Sequence, residues 1–179
     1  MFEIGNLHKL IRDVPKPVPA VTVWRSAEAR FYMCTATSRS QPTPPKFGQA
    51  GPRVGSLDAG FGSAFLARVI GEKRAREVWH LCCQYDADTA ERWGLVNWVV
   101  PASNLLDEAK VVAAEIAEES PTAIRFLKQS FNADTDHQAG LSNLAMSALD
   151  LYTHTPEGLE GVAAFAEKRS PDFAKFAKA

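Results

Sequence analysis

Gln49 and Trp79 are among the residues whose N–H groups could bind an anion. Gln49 offers a side-chain amide and Trp79 a single indole N–H, and a pair of such donors suits a small anionic group. Trp79 also shares a predicted helix face with Ala75 and Cys82, and a helical aromatic side chain usually packs in the core. Taken alone, Trp79 is therefore interpreted as a packing residue.

Ser56 and Asp58 lie in the same glycine-rich segment as Gln49, between Phe47 and Gly60. They place a hydroxyl group two residues before a carboxyl group. Side chains of these types commonly cap a helix, because their oxygens accept its first free backbone N–H groups. On residue type alone, Ser56 and Asp58 are interpreted as caps of a helix that begins near Gly60.

Composition excludes several classes of function. The chain has 179 residues, enough for one domain with a real core. Its formal net charge of −1 gives no reason to expect nucleic acid or an anionic membrane as partner. No apolar run approaches the ~20 residues of a membrane span, and no signal peptide is evident. Cys34, Cys82 and Cys83 form no CxxC pair, so we expect a cytoplasmic protein with reduced thiols and no metal site.

The elements that must position these residues are mostly helices. After residue 46, apolar spacing and glycine, proline or capping residues predict seven helices. They cover residues 61–70, 72–83, 88–93, 105–118, a segment starting at Ser120–Pro121, 141–152 and 156–169. Residues 95–100 have a strand-like composition and end at Pro101.

The segment Phe47–Gly60 reads FGQAGPRVGSLDAG and resembles the signature FGQ-x-GP-x-VGSFD-x-G of the 1,4-dihydroxy-2-naphthoyl-CoA synthases, a family of the crotonase superfamily. Leu57 replaces the usual Phe. Further motifs follow at the family's spacing: AREVW at 75–79, GLVN at 94–97, SPTA at 120–123, FNAD at 131–134 and EKRSPDF at 167–173. GLVN and SP are shared across the superfamily, whereas GS-x-D and the tail are specific. The resemblance covers almost three quarters of the chain.

This resemblance implies an α/β crotonase (ClpP/crotonase-like) fold, here incomplete and mostly its helical C-terminal part. It implies an intramolecular Claisen cyclisation of o-succinylbenzoyl-CoA in menaquinone (vitamin K2) biosynthesis. A carbanion beside the succinyl thioester carbonyl attacks the aromatic carboxyl group, and loss of water closes the ring. The reaction needs a base, an oxyanion hole and donors to the attacked carboxylate. The resemblance also implies a homo-oligomer, a trimer or hexamer in intact members.

Individual roles follow from the matching positions. Ser56 and Asp58 are implied to bind and activate the aromatic carboxyl group, an interpretation that replaces helix capping. Gly51 stands where some members carry an Asp that serves as base. Members with Gly there are implied to use bicarbonate, held by a Gln and a Trp, and these match Gln49 and Trp79.

Residues near the C-terminus also match positions that have a role in the family. Phe165 and Lys168 match residues that touch CoA, usually from a neighbouring subunit. The alternative is an ordinary amphipathic helix end, with Lys168 as a solvated charge. The family's catalytic Tyr falls at Thr153, and Tyr152 lies one residue earlier. Tyr152 is the candidate for that role, although one residue of helix rotates a side chain by ~100°.

The chain before Lys46 departs from the family. Residues 1–21 are interpreted as a remnant of the crotonase N-terminal core, because PKPV at 15–18 resembles a family segment. Residues 22–45 stand where a glycine-rich oxyanion loop is expected, yet they follow neither a helical nor a strand period. Recoded in another frame, with one base restored at Thr22 and one removed at Pro45, this segment gives NGVAVGGGQ at its start. We interpret residues 22–45 as an irregular, out-of-frame segment rather than a divergent loop, and residues 46–179 as the crotonase C-terminal region.

Two rival functions are weighed against the synthase. A generic enoyl-CoA hydratase or isomerase is disfavoured because hydratases carry Glu after the Pro of this motif, whereas Arg53 follows Pro52. A non-catalytic, degenerate fragment is favoured by the missing glycine loops. The sequence thus predicts a naphthoyl-CoA synthase whose own turnover is impaired.

Overall fold

The structure is a computed structural model that describes residues 9–18, 20–21, 34–36, 46–57 and 62–177. Helices make up most of these residues, as predicted. The chain is helical at residues 9–13 (α1). The further helices are α2 (Gly62–Ile70), α3 (Glu72–Leu81), α4 (Ala87–Arg92), α5 (Leu105–Glu118), α6 (Pro121–Ala133), α7 (Ala139–Thr153) and α8 (Pro156–Ala166). Within these ranges no helix is long and apolar enough to cross a bilayer.

The strands are short and form two pairs. β1 (Ala20–Val21) pairs in parallel with β2 (Cys34–Ala36), and α5 packs against both. β3 (Phe47–Gly48) pairs antiparallel with β4 (Gln84–Tyr85). β2 is the only part of the segment 22–45 that the structure describes. The predicted irregularity of that segment otherwise lies outside the described residues, and the three-part division of the chain stays a prediction.

The strand predicted at residues 95–100 is wrong. Turns and bends occupy residues 93–97 instead, with a single bridge residue at Val100. The backbone N–H groups of Leu95 and Val96 both point at the carbonyl oxygen of Ala90, at 2.8 and 3.4 Å. These two groups close the end of α4, so they are not available to a neighbouring strand.

Two helices end earlier than predicted, for the same reason. Cys82 and Lys168 adopt φ angles of 51° and 55°, in the left-handed region that an α-helix cannot continue through. α3 therefore ends at Leu81 and α8 at Ala166. The predicted start of α6 is confirmed: the Ser120 side chain accepts a hydrogen bond from the N–H of Ala123, with Pro121 in the first turn.

The core lies where α2 packs against α3. Leu66 and Ile70 of α2 meet Ala75 and Val78 of α3, and all four are nearly inaccessible to solvent. A second cluster, centred on Ala90 and Val96, lies under the end of α4. The two clusters share Leu95, which packs against both.

α6 is attached to the rest of the chain through its polar side. The ammonium group of Lys128 donates to the carbonyl oxygens of Ile11, Val14 and Lys16, at 2.9, 2.7 and 2.8 Å. These carbonyls lie at the end of α1, where a helix leaves its last carbonyl groups without intrahelical partners. Burial lowers the pKa of Lys128, while the charge of Asp13 opposes that shift.

We expect Lys128→Met to destabilise the fold by about 1–3 kcal/mol, because it leaves three carbonyl groups without their donor. Lys110→Met is the matched control. Lys110 is exposed and pairs with Asp107 three residues earlier, a kind of pair worth about 0–1 kcal/mol. Urea unfolding of both variants measures the difference. Equal effects would show that Lys128 does not hold α1.

Candidate active site

A tight turn brings several of the predicted site residues together. Gly51–Arg53 forms a 3-10 turn, and the N–H of Ser56 donates back to the carbonyl oxygen of Gly51 at 2.8 Å. Gln49, immediately before this turn, is only 5 % exposed. Gln49, Gly51 and Ser56 therefore occupy one compact structure, which we call the site turn (residues 49–57).

The structure does not support Ser56 as a helix cap. α2 begins at Gly62, too far along the chain for Ser56 to reach its first N–H groups. Within the described residues, the half-buried Ser56 hydroxyl makes a long contact of 3.5 Å to the carbonyl oxygen of Leu57. Asp58 lies outside the described residues, so its predicted role stays a prediction.

α3 packs beside the site turn and carries Trp79. The Arg53 guanidinium crosses to α3 and donates to the carbonyl oxygen of Leu81 at 3.3 Å. Trp79 itself is half-buried and packs against the cluster of α2 and α3. Packing thus accounts for the indole ring, and its predicted bicarbonate contact stays a prediction.

Gly51 lies close to the backbone of Ser56. A Cβ added there would lie 3.2 Å from the carbonyl oxygen of Ser56, so that backbone must shift by a few tenths of an ångström to admit a side chain. Its φ angle is not in the left-handed region, since Gly55, Gly71 and Gly94 are the described glycines with positive φ. The backbone conformation of Gly51 therefore permits a side chain once the carbonyl group of Ser56 shifts.

The backbone of the site turn directly contacts the backbone of α8. Gly55 is buried with φ of 71°, and a Cβ added to it would come closer than 3.0 Å to the carbonyl oxygen of Gly158. A Cβ on Gly161 would likewise come closer than 3.0 Å to the nitrogen and Cα of Gly55. Steric repulsion excludes such separations, so this contact requires glycine.

The same contact brings the end of α7 to the site. Gly158 lies against the carbonyl oxygen of Tyr152, and that oxygen also accepts a hydrogen bond from the Thr155 hydroxyl at 2.7 Å. Burial, then the charge of Glu157, raises the pKa of the half-buried Tyr152 phenol. The phenol is therefore protonated at neutral pH and able to donate. Thr153, at the family's Tyr position, turns its hydroxyl to the Asp150 carbonyl at 3.0 Å.

Phe165 and Lys168 line an open groove of about 850 Å³. Its other wall comes from the same chain and includes Arg53 of the site turn and His80 of α3. The Phe165 ring is 70 % exposed. The two residues predicted to touch CoA thus share one groove with the edge of the site turn.

Glu160, which was not among the predicted site residues, fixes the chain after α8. Its carboxylate accepts hydrogen bonds from Arg169 at 2.6 Å, from the N–H of Asp172 at 2.9 Å and from Lys175 at 3.2 Å. These donors, Arg169 first, lower the pKa of Glu160 to about 2. These contacts hold the tail, the residues that follow α8 and begin at Lys168 with its left-handed conformation.

A repeated spacing of small residues on α8 (Gly158, Gly161, Ala164) was the one sequence signal for close packing of this helix.

The Glu160 contacts predict how the tail responds to pH. Because the folded pKa lies below the ordinary value of 4.5, the contribution of Glu160 is complete above about pH 4.5 and is lost as the pH falls towards 2. We expect the amide proton shift of Asp172, followed by NMR, to titrate in that window. Arg169→Gln should move the midpoint up towards 4.5, whereas Lys168→Gln, which removes a charge that does not pair with Glu160, should not. An unchanged midpoint in Arg169→Gln would contradict this assignment.

The sequence matches the family model described as enoyl-CoA hydratase/isomerase over residues 3–176. Similar solved structures include an enoyl-CoA hydratase/isomerase from Pseudoalteromonas atlantica, with a TM-score of 0.84 and 21 % identity, covering 93 % of this chain and 68 % of that one. An enoyl-CoA hydratase from Mycobacterium avium subsp. paratuberculosis has a TM-score of 0.81 and 27 % identity, covering 96 % and 71 %. A carnitinyl-CoA hydratase from Mycobacterium avium has a TM-score of 0.80 and 21 % identity, covering 90 % and 65 %.

These matches confirm the predicted fold class, a partial crotonase fold in a helix-rich chain. The chain spans about two thirds of the length of these structures. The named proteins are hydratases or isomerases, so the similarity supports the broader family and does not single out the naphthoyl-CoA synthases.

Proposed function

Because the chain belongs to the enoyl-CoA hydratase/isomerase family, we propose that its site is that of a 1,4-dihydroxy-2-naphthoyl-CoA synthase acting on o-succinylbenzoyl-CoA. The observation that carries this proposal is the site turn. It gathers Gln49, Gly51 and Ser56 in one compact structure and places Arg53 beside the groove of Phe165 and Lys168. The motif that distinguishes the synthases from other members therefore forms a structural unit at the edge of a groove.

In this proposal the site turn and α7 act on the reacting end of the substrate. Ser56, together with Asp58, binds the aromatic carboxyl group and makes it a better electrophile. Tyr152 contributes its neutral phenol as a further donor in this proposal, because Gly158 brings the backbone at the end of α7 to the backbone of Gly55. Hydrogen bonds of this kind stabilise charge that develops on oxygen in the transition state.

The chain also offers a place for a small anion near Gly51. Gln49 is buried, its amide can donate, and Gly51 has no side chain that would occupy the position of the anion. These features fit bicarbonate, with Trp79 on the adjacent α3 as the second donor. Bound there, bicarbonate supplies the base that other members provide as an Asp.

Phe165 and Lys168 are proposed to hold CoA. Lys168 occupies a backbone conformation with φ of 55°, which costs about 1–2 kcal/mol for a residue other than glycine. Glycine is common at this position after a helix. A lysine kept there at a cost in stability is consistent with a role for its side chain in binding.

A second candidate is a generic enoyl-CoA hydratase or isomerase, favoured by the identities of the similar structures. Against it, the residue after Pro52 is Arg53, whose guanidinium is directed to the carbonyl oxygen of Leu81. The carboxylate that hydratases carry at this position is therefore replaced by a cation. The third candidate is a non-catalytic fragment that only associates with intact subunits.

The turnover assay distinguishes these candidates. We expect the 179-residue chain itself to cyclise o-succinylbenzoyl-CoA very slowly, because loss of one oxyanion donor costs about 10²–10³ in kcat and residues 22–45 stand where a glycine-rich donor loop is expected. A longer version, with a complete N-terminal half and the restored NGVAVGGG segment, should be active. Both are assayed with o-succinylbenzoyl-CoA and with crotonyl-CoA, free of host enzyme. Hydration of crotonyl-CoA without cyclisation would favour the hydratase, and robust turnover by the short chain would refute the impairment.

Bicarbonate dependence tests the assignment of the base. In the active version, cyclisation should slow when bicarbonate is depleted, and Gly51→Asp should lessen that dependence by supplying a carboxylate in its place. Ala50→Asp is the matched control, since it adds the same carboxylate at the exposed neighbouring position. A rate that does not change on depletion would show that Gln49, Gly51 and Trp79 are assigned wrongly.

The chain is also proposed to form a homo-oligomer in the cytoplasm. Cys82 and Cys83 are free thiols, as expected in a reducing compartment. Large apolar side chains are exposed on α6, α7 and α8, and patches of this kind mark interaction surfaces. They are Phe126, Leu127, Phe131, Leu141, Leu144, Leu151, Leu159, Val162 and Phe165.

Light scattering after size-exclusion chromatography measures the assembly. We expect a trimer or hexamer, and we expect Leu144→Asp to shift the mass towards the monomer because it puts a charge into a buried apolar contact. Asn143→Asp adds the same charge at the preceding exposed position without removing an apolar side chain. A monomeric parent chain, or equal masses for the two variants, would contradict the proposed surface.

A further inference from the structure

The site turn and α8 meet through close contacts between their backbone atoms. In addition to its contact with Gly158, a Cβ on Gly55 would lie 2.9 Å from the nitrogen of Val162, one turn further along α8. A Cβ on Gly161 would lie 2.8 Å from the carbonyl carbon of Val54. The helix therefore fits against two consecutive residues of the turn, and neither partner can carry a side chain at the point of contact.

The third glycine extends this contact to α7. A Cβ on Gly158 would lie 3.1 Å from the Cα of Thr153 and closer still to the carbonyl oxygen of Tyr152. Gly158 is buried, and its N–H donates to the Thr155 hydroxyl that caps α8. Tyr152, Gly158 and Gly55 thus form a continuous series of backbone contacts that ends one residue before Ser56.

We propose that Gly55, Gly158 and Gly161 are positioning residues, which fix the Ser56 hydroxyl relative to Tyr152 and to the groove of Phe165 and Lys168 within one chain. The role of Ser56 in catalysis rests on the proposed function, whereas the junction itself rests on the contacts described above. An added methyl group at Gly161 must separate α8 from the site turn. Phe165 and Lys168 would move away with the helix, and Ser56 would stay with the turn.

Misalignment of this kind has a distinct kinetic signature. Phe165 and Lys168, the two residues proposed to hold CoA, both lie on α8 and its tail, so the CoA part of the substrate keeps its contacts with them when the helix moves. The reacting end loses its alignment with Ser56, and a displacement of about 1 Å at a reacting group can cost about 10²-fold in rate. A positioning role therefore lowers kcat far more than it weakens binding of a CoA thioester.

Gly161→Ala is the principal variant and Gly140→Ala its matched control. Both replace a helical glycine, but a Cβ at Gly140 meets nothing within 4 Å. Alanine favours a helix over glycine, so helix propensity alone predicts that both variants are stabilised. We expect Gly140→Ala to have an unchanged or raised Tm and Gly161→Ala a lowered one.

Hydrogen exchange locates the effect in the 179-residue chain. In Gly161→Ala, the amides of Val54 and Ser56, which donate within the turn, should exchange at least about tenfold faster, equivalent to about 1.4 kcal/mol, while amides of α5 keep their wild-type rates. Uniform acceleration in all helices, or none in the turn, would overturn the positioning role.

One measurement needs no variant and no activity. In the wild-type chain, nuclear Overhauser effects should connect the α-protons of Gly55 and Gly161, and their absence would overturn the junction even if Gly161→Ala fails to fold.

In the version active in the cyclisation assay, Gly161→Ala should lower kcat about 10- to 100-fold and change the Kd of the CoA thioester less than about threefold. Equal losses in kcat and binding would refute the positioning role and leave the proposed function standing. Failure to cyclise any substrate would refute the proposed function, and the exchange and Overhauser results would still decide the junction.

Discussion

The candidate site depends on the contact between the backbones of Gly55 and Gly161. Atoms of the main chain approach so closely there that a methyl group on either residue cannot be accommodated. Because α8 also leads into Phe165 and Lys168, this one steric constraint relates the polar turn to the groove beside it. Glu160 then holds the tail that follows. Close contact between backbones thus sets the arrangement of the site, and the side-chain contacts of Glu160 hold the tail beside it.

The polar contacts that attach α6 to α1 leave the apolar side chains of α6 exposed to solvent. α6 turns Lys128 and Asn132 towards α1, where they bond to backbone carbonyls, and leaves Phe126 and Phe131 exposed. Polar groups that are partly buried need such partners, and α1 supplies them. The apolar side chains of α6 then have no place in the described part of the chain, which is why an assembly of subunits is the natural setting for this region.

Membership of the enoyl-CoA hydratase/isomerase family constrains the chemistry without selecting one reaction. Members of one fold can perform different reactions, because function depends on the residues of the site. In this chain the distinction between the two enzymatic candidates comes down to the site turn. By the motif resemblance, Arg53 stands where hydratases carry a carboxylate, and its guanidinium donates to the carbonyl oxygen of Leu81 in α3. The charge at one position therefore separates the proposed reactions more clearly than overall similarity does.

The sequence by itself determined the parts of the protein that depend on short-range signals. Seven helices after residue 46 lie close to their predicted positions, because apolar spacing and caps such as Ser120 act within a few residues. The motif around Ser56 identified the segment that forms the site turn, although not its contacts.

Only the tertiary structure decided features that involve distant residues or a balance of competing contacts. Val96 has a strand-forming side chain, yet its N–H is directed to Ala90 and closes a helix. Cys82 and Lys168 adopt left-handed conformations that residue type does not favour. Gly55 and Gly161 are more than one hundred positions apart in the sequence, and no local pattern states that two such glycines must touch. A glycine shows in the sequence that a side chain is absent, and only the folded chain shows which neighbour takes up the space.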